Sequence, residues 1–152
     1  MIRRRDFITL LGGAAAWPLA TRAQQGDRVR RIGVLMPFYE NDPVWKRRLS
    51  AFTQALADLG WADGRNVRMD IRWYGDDTDR MRALAQELVG LRPDIIVTNQ
   101  TPPTVAVQRE TRTIPIVFAS VIDPVATGIV PGLYQPGGYI TGFATLEATL
   151  GG

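Results

Sequence analysis

Apolar residues of this 152-residue chain concentrate in four short runs, at residues 31–37, 94–97, 114–120 and 139–144. Runs of this length, rich in Val and Ile, are typical of strands that are buried on both faces of a parallel sheet. Residues 66–74 instead alternate apolar with mostly charged side chains, which predicts a half-buried strand nearer to the edge. The pattern therefore predicts five strands, with the second run in the middle of the sheet.

Between the predicted strands, apolar residues recur at the spacings of three and four that one face of a helix requires. The first such stripe consists of Trp45, Leu49, Phe52, Leu56 and Leu59, and Gly60 follows it. A second stripe runs from Met81 to Leu91, and a shorter helix is expected to end near Arg112. Strands that alternate with helices imply right-handed βαβ crossovers. The predicted fold class is α/β, an open parallel sheet with helices on both faces.

The strand at residues 94–97 runs directly into a helix start. Its apolar run stops at Thr98, Asn99 and Gln100, and Thr101 then precedes Pro102. This order is expected of an N-cap followed by proline at the first helical position. In an open parallel sheet the junction lies at the carboxyl ends of the strands, where ligands bind, and the free N–H groups favour a carboxylate. Thr101 either caps the helix alone or also contacts a ligand.

Acidic residues stand before two further predicted helix starts. Asp123 precedes Pro124 in what we expect to be a short helix. Asp76, Asp77 and Asp79 resemble a metal cluster, but acids at a helix start more often serve as caps and as partners of the helix dipole. We predict neither a metal nor a cofactor.

The composition excludes several classes of chemistry. The chain contains no cysteine and no histidine, so disulfides, thiolate sites, histidine-ligated metals and Ser-His or Cys-His catalysis are absent. Carboxylate chemistry remains open. The formal net charge of +3 would suggest a nucleic-acid or membrane partner only if the charges were spread over the domain. Four of the 18 basic residues and one of the 15 acidic residues lie within residues 1–23, so the remainder is formally neutral and no nucleic-acid partner is predicted.

Residues 1–23 read as an export signal. A basic start is followed by an apolar stretch that is too short for a membrane span, and Thr21 and Ala23 offer small residues at a cleavage site. Arg4 and Arg5, with a hydrophobic residue soon after, resemble the twin-arginine motif. The alternative is a Sec-type leader that contains three arginines. Either route predicts a flexible start at residues 24–30, a domain over residues 31–152 and a soluble protein in a bacterial periplasm.

Several blocks in order resemble the ABC transporter substrate-binding proteins of soil proteobacteria, which are similar in fold to type I periplasmic binding proteins. The blocks are RRIGVLMP, DLGW followed by GRNV, LRPDIIV, DPV and ITGF, and the resemblance covers essentially the whole chain. Such proteins have two lobes and about twice this length. The resemblance implies a Rossmann-like N-terminal lobe without its second lobe, and a monomer that delivers a small molecule to an inner-membrane permease.

The resemblance also implies a ligand site built from strand ends. The residues carried over are Phe38, Tyr39, Asn99, Thr101, Pro102, Ser120, Asp123 and Thr145. An aromatic residue could cover an apolar ligand, Thr101 could bind a carboxylate and Asp123 could pair with an ammonium, which together suit an amino acid. Asp123 could instead be only an N-cap, and the two aromatic residues could be plain loop surface.

Two other functions remain open at this stage. An α/β enzyme is disfavoured because the chain has neither histidine, cysteine, a G-x-S-x-G motif nor a G-x-G-x-x-G motif. A ligand-sensing regulator would carry a DNA-binding motif where the export signal stands. The fold alone does not separate these classes.

We predict twin-arginine export with cleavage near Ala23. Replacing both Arg4 and Arg5 by Lys should leave the precursor in the cytoplasm, because the export machinery reads the arginine pair. Immunoblots of periplasmic and cytoplasmic fractions measure the distribution. An unchanged periplasmic yield would contradict the twin-arginine interpretation while leaving Sec export possible.

Overall fold

A computed structural model describes residues 28–132 and 138–145. The predicted leader and the residues after Thr145 lie outside these ranges, so the predictions made for them stand untested. In the described residues no helix is both long enough and apolar enough to cross a membrane.

The described chain contains five strands and three helices, which alternate as far as the fourth strand. The strands are β1 (Arg30–Met36), β2 (Val67–Trp73), β3 (Ile95–Asn99), β4 (Ile116–Ile122) and β5 (Ile140–Thr145). The helices are α1 (Pro43–Asp58), α2 (Thr78–Gly90) and α3 (Thr101–Glu110). The strands form one sheet in the order β2-β1-β3-β4-β5, and every neighbouring pair is parallel. The predicted placement is confirmed, because β3 lies in the middle of the sheet and β2 at an edge.

Two apolar clusters cover the two faces of the sheet. The larger one lies under α2 and α3 and includes Leu35, Leu88, Ile96, Val107 and Phe118. The smaller one lies under α1 and is formed by Ile32, Val34, Met36, Trp45 and Val67. The prediction of an α/β fold with helices on both faces of an open parallel sheet is therefore confirmed.

Charged side chains join the strands at the amino edge of the sheet. Arg31 Nε lies 2.6 Å from the buried carboxylate of Asp70, so β1 and β2 are linked. Asp94 accepts a hydrogen bond from the Arg31 backbone N–H at 2.8 Å and from the Arg28 guanidinium at 2.9 Å. These contacts fix the start of β1 against its two neighbours, β2 and β3.

The prediction of a short helix after Asp123 is wrong. Residues 124–128 form a turn, in which the Thr127 N–H donates to Asp123 O at 3.1 Å. Gly128 then adopts a left-handed φ of 74°. The next two residues, Ile129 and Val130, are buried in the larger apolar cluster. The chain is therefore drawn into the core before a helix can extend beyond its first turn.

We predict that the larger apolar cluster supplies much of the stability. Leu88 is fully buried, so Leu88→Ala should lower the free energy of unfolding by about 2–5 kcal/mol. Leu59 is 77% exposed, so the matched change Leu59→Ala should alter it by less than about 0.5 kcal/mol. Urea unfolding of both variants measures the difference. Equal losses would contradict the arrangement of the core.

Candidate functional site

The carboxyl ends of the strands meet along one edge of the sheet, because all five strands are parallel. Phe38 follows β1 and forms an antiparallel bridge with Gly75, which follows β2. Asn99 ends β3 and lies in register with Ala119 of β4. Thr145 is the last residue of β5 and is exposed. The structure thus places the predicted residues of β1, β3, β4 and β5 along this edge.

The two aromatic residues after β1 are anchored differently. Phe38 is 41% exposed and its ring centroid lies 5.5 Å from that of buried Trp45. Tyr39 lies across Gly75, where an added Cβ would come within 2.9 Å of its ring. Its phenol donates a hydrogen bond to Asp76 at 3.1 Å, and this bond together with the carboxylate charge raises the pKa of Tyr39. Tyr39 therefore lies on an exposed rim, with its phenol bonded to Asp76.

The β3–α3 junction differs from the expectation. Gln100 occupies the N-cap position and Thr101 is already the first residue of the helix, so the prediction that Thr101 caps it is wrong. Gln100 makes no side-chain cap hydrogen bond, and it holds its backbone at φ 74° and ψ 167°. Pro102 and Pro103 carry no N–H, which reduces the number of donors that this helix start can offer an anion.

A chain of hydroxyl groups fixes the backbone of this junction. The Thr104 hydroxyl donates to the Gln100 carbonyl at 2.7 Å and also lies 2.7 Å from the Thr98 hydroxyl. Since Thr104 has one hydroxyl hydrogen, Thr98 is the donor in the second contact. The Gln100 N–H donates to Ala119 O at 2.9 Å. The junction is thus held on both sides of Gln100.

Asn99 has an unused hydrogen-bonding group. Its Oδ1 atom is buried and accepts no hydrogen bond in the described part of the chain. A buried acceptor without a donor is unfavourable, and such groups in native proteins call for an explanation. Asn99 lines a groove of about 400 Å³ with Met36, Arg48, Phe52, Val97 and Ser120. An ammonium or hydroxyl group of a ligand would supply the missing donor.

The end of β4 carries the two remaining predicted residues. The pairing of β4 with β5 shifts between Ala119 and Val121, and the intervening Ser120 is exposed with φ 55°. Asp123 is exposed with φ 42°, and its Oδ1 accepts from the Ala126 N–H at 3.0 Å. Asp123 therefore caps a turn, and its second carboxylate oxygen accepts no hydrogen bond from the described residues.

Left-handed backbone conformations are concentrated at this edge. Among described residues other than glycine, five have positive φ. Four of them, Phe38, Gln100, Ser120 and Asp123, lie at the carboxyl ends of strands, and only Arg92 lies before a strand. Backbone strain of this kind clusters at ligand sites, since it persists only where the surroundings enforce it.

The sequence analysis missed Gly75, Asp76, Gln100 and Arg48. The first two directly follow the alternating run of β2. They could have been found from the sequence, because ligands bind at the carboxyl ends of parallel strands and these residues follow such an end. Arg48 lies outside the predicted apolar stripe of its helix, and its guanidinium carbon lies 4.6 Å from the Trp45 ring centroid beside the groove. The special conformation of Gln100 has no local signal in the sequence.

Two of the acidic residues near β2 act as hydrogen-bond acceptors. Asp77 caps α2, because it accepts from the Asp79 N–H at 2.9 Å and the Arg80 N–H at 3.1 Å. Asp76 accepts the Tyr39 hydrogen bond described above. Within residues 28–132 and 138–145, no group of three potential ligands is close enough to hold a metal ion.

The family of the chain follows from comparison with known proteins. Residues 32–149 match the family model of the ABC transporter substrate binding proteins, and the chain belongs to this family. A tyrosine-binding protein of Clostridioides difficile (strain R20291) is 32% identical over 111 residues, which cover 71% of this chain and 32% of that protein.

Two solved structures share the fold. A conserved domain protein of Vibrio cholerae O1 biovar El Tor is 30% identical, with a TM-score of 0.72 over 80% of this chain and 40% of that one. An ABC domain from Streptococcus pneumoniae in complex with L-Trp is 27% identical, with a TM-score of 0.68 over 76% of this chain and 38% of that one. The chain thus spans about two fifths of each solved structure and about a third of the tyrosine-binding relative.

Proposed function

We propose that this chain forms one ligand-binding lobe of an extracytoplasmic substrate-binding protein, and that its ligand is an aromatic amino acid. The observation that carries the proposal is the buried Asn99 oxygen at the carboxyl edge of the sheet, which has no hydrogen-bond donor among the described residues and lines a groove together with Ser120, a residue of positive φ. The names of two relatives, one tyrosine-binding and one in complex with L-Trp, support the ligand class.

Different residues of the site are proposed to bind the ammonium group, the aromatic side chain and the carboxylate of the ligand. Asn99 Oδ1 accepts from the ligand's ammonium group, and the Asp123 carboxylate adds a negative charge at the end of the neighbouring strand β4. Phe38 and Tyr39 offer exposed rings to the aromatic side chain. Thr101, Pro102, Ser120 and Thr145 complete the rim, with Thr101 facing the carboxylate through its N–H.

A single lobe makes only part of such a site. In two-lobed binders the lobes close around the ligand, so each supplies a share of the hydrogen bonds and of the water exclusion. We propose that a second lobe completes this site, and that the assembled monomer passes its ligand to a permease in the inner membrane. An enzymatic role and a nucleic-acid partner form no part of this proposal.

The proposal predicts a large difference in affinity between one lobe and two. The 152-residue chain should bind L-tyrosine or L-tryptophan weakly, with a Kd of about 1 mM or above. A chain extended by the part of the tyrosine-binding relative that it does not cover should bind at least about a hundredfold more tightly. Each hydrogen bond regained contributes about 1 kcal/mol, and closure excludes water. Calorimetry with both amino acids, and with L-lysine as a control, measures these affinities.

Two results would contradict the proposal. Micromolar binding by the 152-residue chain as a monomer would show that the site does not depend on a second lobe. Equal binding of L-lysine and L-tyrosine by the extended chain would show that the ligand class is wrong.

A further inference from the structure

Gln100 has a backbone conformation that its residue type strongly disfavours. At φ 74° and ψ 167° it occupies a region of the Ramachandran map that is essentially open only to glycine. Phe38, Ser120 and Asp123 also have positive φ, but at 63°, 55° and 42°. Gln100 is therefore the clearest conflict between residue type and backbone at the carboxyl edge of the sheet.

The surroundings hold this conformation from both sides. The Gln100 N–H is bonded to Ala119 O of β4, and its carbonyl accepts the Thr104 hydroxyl, which Thr98 supports in turn. These contacts use only the backbone of residue 100. A glycine would make the same hydrogen bonds without strain. The backbone thus gives no reason for glutamine at this position, and the reason must lie in the side chain.

The Gln100 side chain has unused hydrogen-bonding capacity. Within the described residues its amide makes no hydrogen bond, and it is half-buried rather than fully solvated. Its neighbour Asn99 independently carries a buried oxygen that lacks a donor. The end of the central strand therefore carries two adjacent residues whose side-chain polar groups lack partners. Such residues suit the binding of a ligand that has both a donor and an acceptor better than they suit a packed apolar core.

We propose that Gln100 is a specificity-determining residue whose side-chain N–H groups bind the carboxylate of the ligand. Asn99 Oδ1 then accepts a hydrogen bond from the ammonium group, so the two residues together recognise the α-amino acid part of the ligand. This assignment rests on the proposed function. It gives the strained glutamine a role, because its side chain supplies donors where the two prolines at the start of α3 have no backbone N–H.

The test combines thermal unfolding of the 152-residue chain with ligand dissection on the chain that is extended by the second lobe. Gln100→Ala removes the amide and keeps the strain, whereas Gln100→Gly removes both. Arg92→Gly is the matched control, since Arg92 has φ 49° at the opposite edge of the sheet. Thermal unfolding measures stability. Saturation-transfer NMR measures binding of L-tyrosine, tyramine, which lacks the carboxylate, and 3-(4-hydroxyphenyl)propionate, which lacks the ammonium group.

Both Gln100 variants should lose about tenfold in affinity for L-tyrosine and for the propionate, as expected for one hydrogen bond to a charged group, and keep their affinity for tyramine. Gln100→Gly should unfold at a higher temperature than the wild-type chain, and Arg92→Gly should bind all three probes normally.

Distinct failures identify which step is wrong. If the wild-type chain binds L-tyrosine and Gln100→Ala binds it equally well, the role of Gln100 is overturned and the proposed function stands. An equal loss for tyramine and L-tyrosine would also overturn it, because it would indicate a general distortion of the site. A lower unfolding temperature for Gln100→Gly would overturn the strain argument. If the extended wild-type chain binds none of the probes, the proposed function fails and the role of Gln100 fails with it.

Discussion

Parallel pairing of all five strands is the constraint from which the rest of the structure follows. Parallel strands have to be joined by crossover connections, and their carboxyl ends all lie at the same edge of the sheet. The order β2-β1-β3-β4-β5 puts the most buried strands in the middle and brings Asn99 next to Ala119 and Ser120. Residues that are up to about a hundred positions apart in sequence are thereby collected along one line.

The two edges of the sheet have different roles: the amino edge carries stabilising ion pairs, and the carboxyl edge carries the candidate ligand site. At the amino edge, Arg31 pairs with buried Asp70, and Asp94 closes the start of β1. The carboxyl edge instead holds left-handed residues, exposed aromatic rings and a buried acceptor that has no donor in the described part of the chain. Features that lower stability are expected where a protein binds its ligand, and the well-paired amino edge and the apolar core offset them.

Sequence patterns predicted the elements well and the junctions poorly. Alternation in residues 66–74 correctly indicated an edge strand, and the helical stripe from Met81 to Leu91 correctly indicated α2, because burial alone sets these patterns. The N-cap of α3 was misplaced because the conformation of Gln100 depends on a hydrogen bond to Ala119, which is distant in sequence. The missing helix after Asp123 reflects the burial of Ile129, which no local rule reveals.

The central claim is that the ligand binds at the carboxyl edge of the sheet. The most direct measurement is a map of backbone amide chemical shifts while L-tyrosine is titrated into the isotope-labelled chain. The account predicts that the largest changes occur at Tyr39, Gly75, Gln100 and Ser120, with little change near Asp70. Changes confined to the amino edge around Asp70 and Asp94, with none at the strand ends, would contradict it.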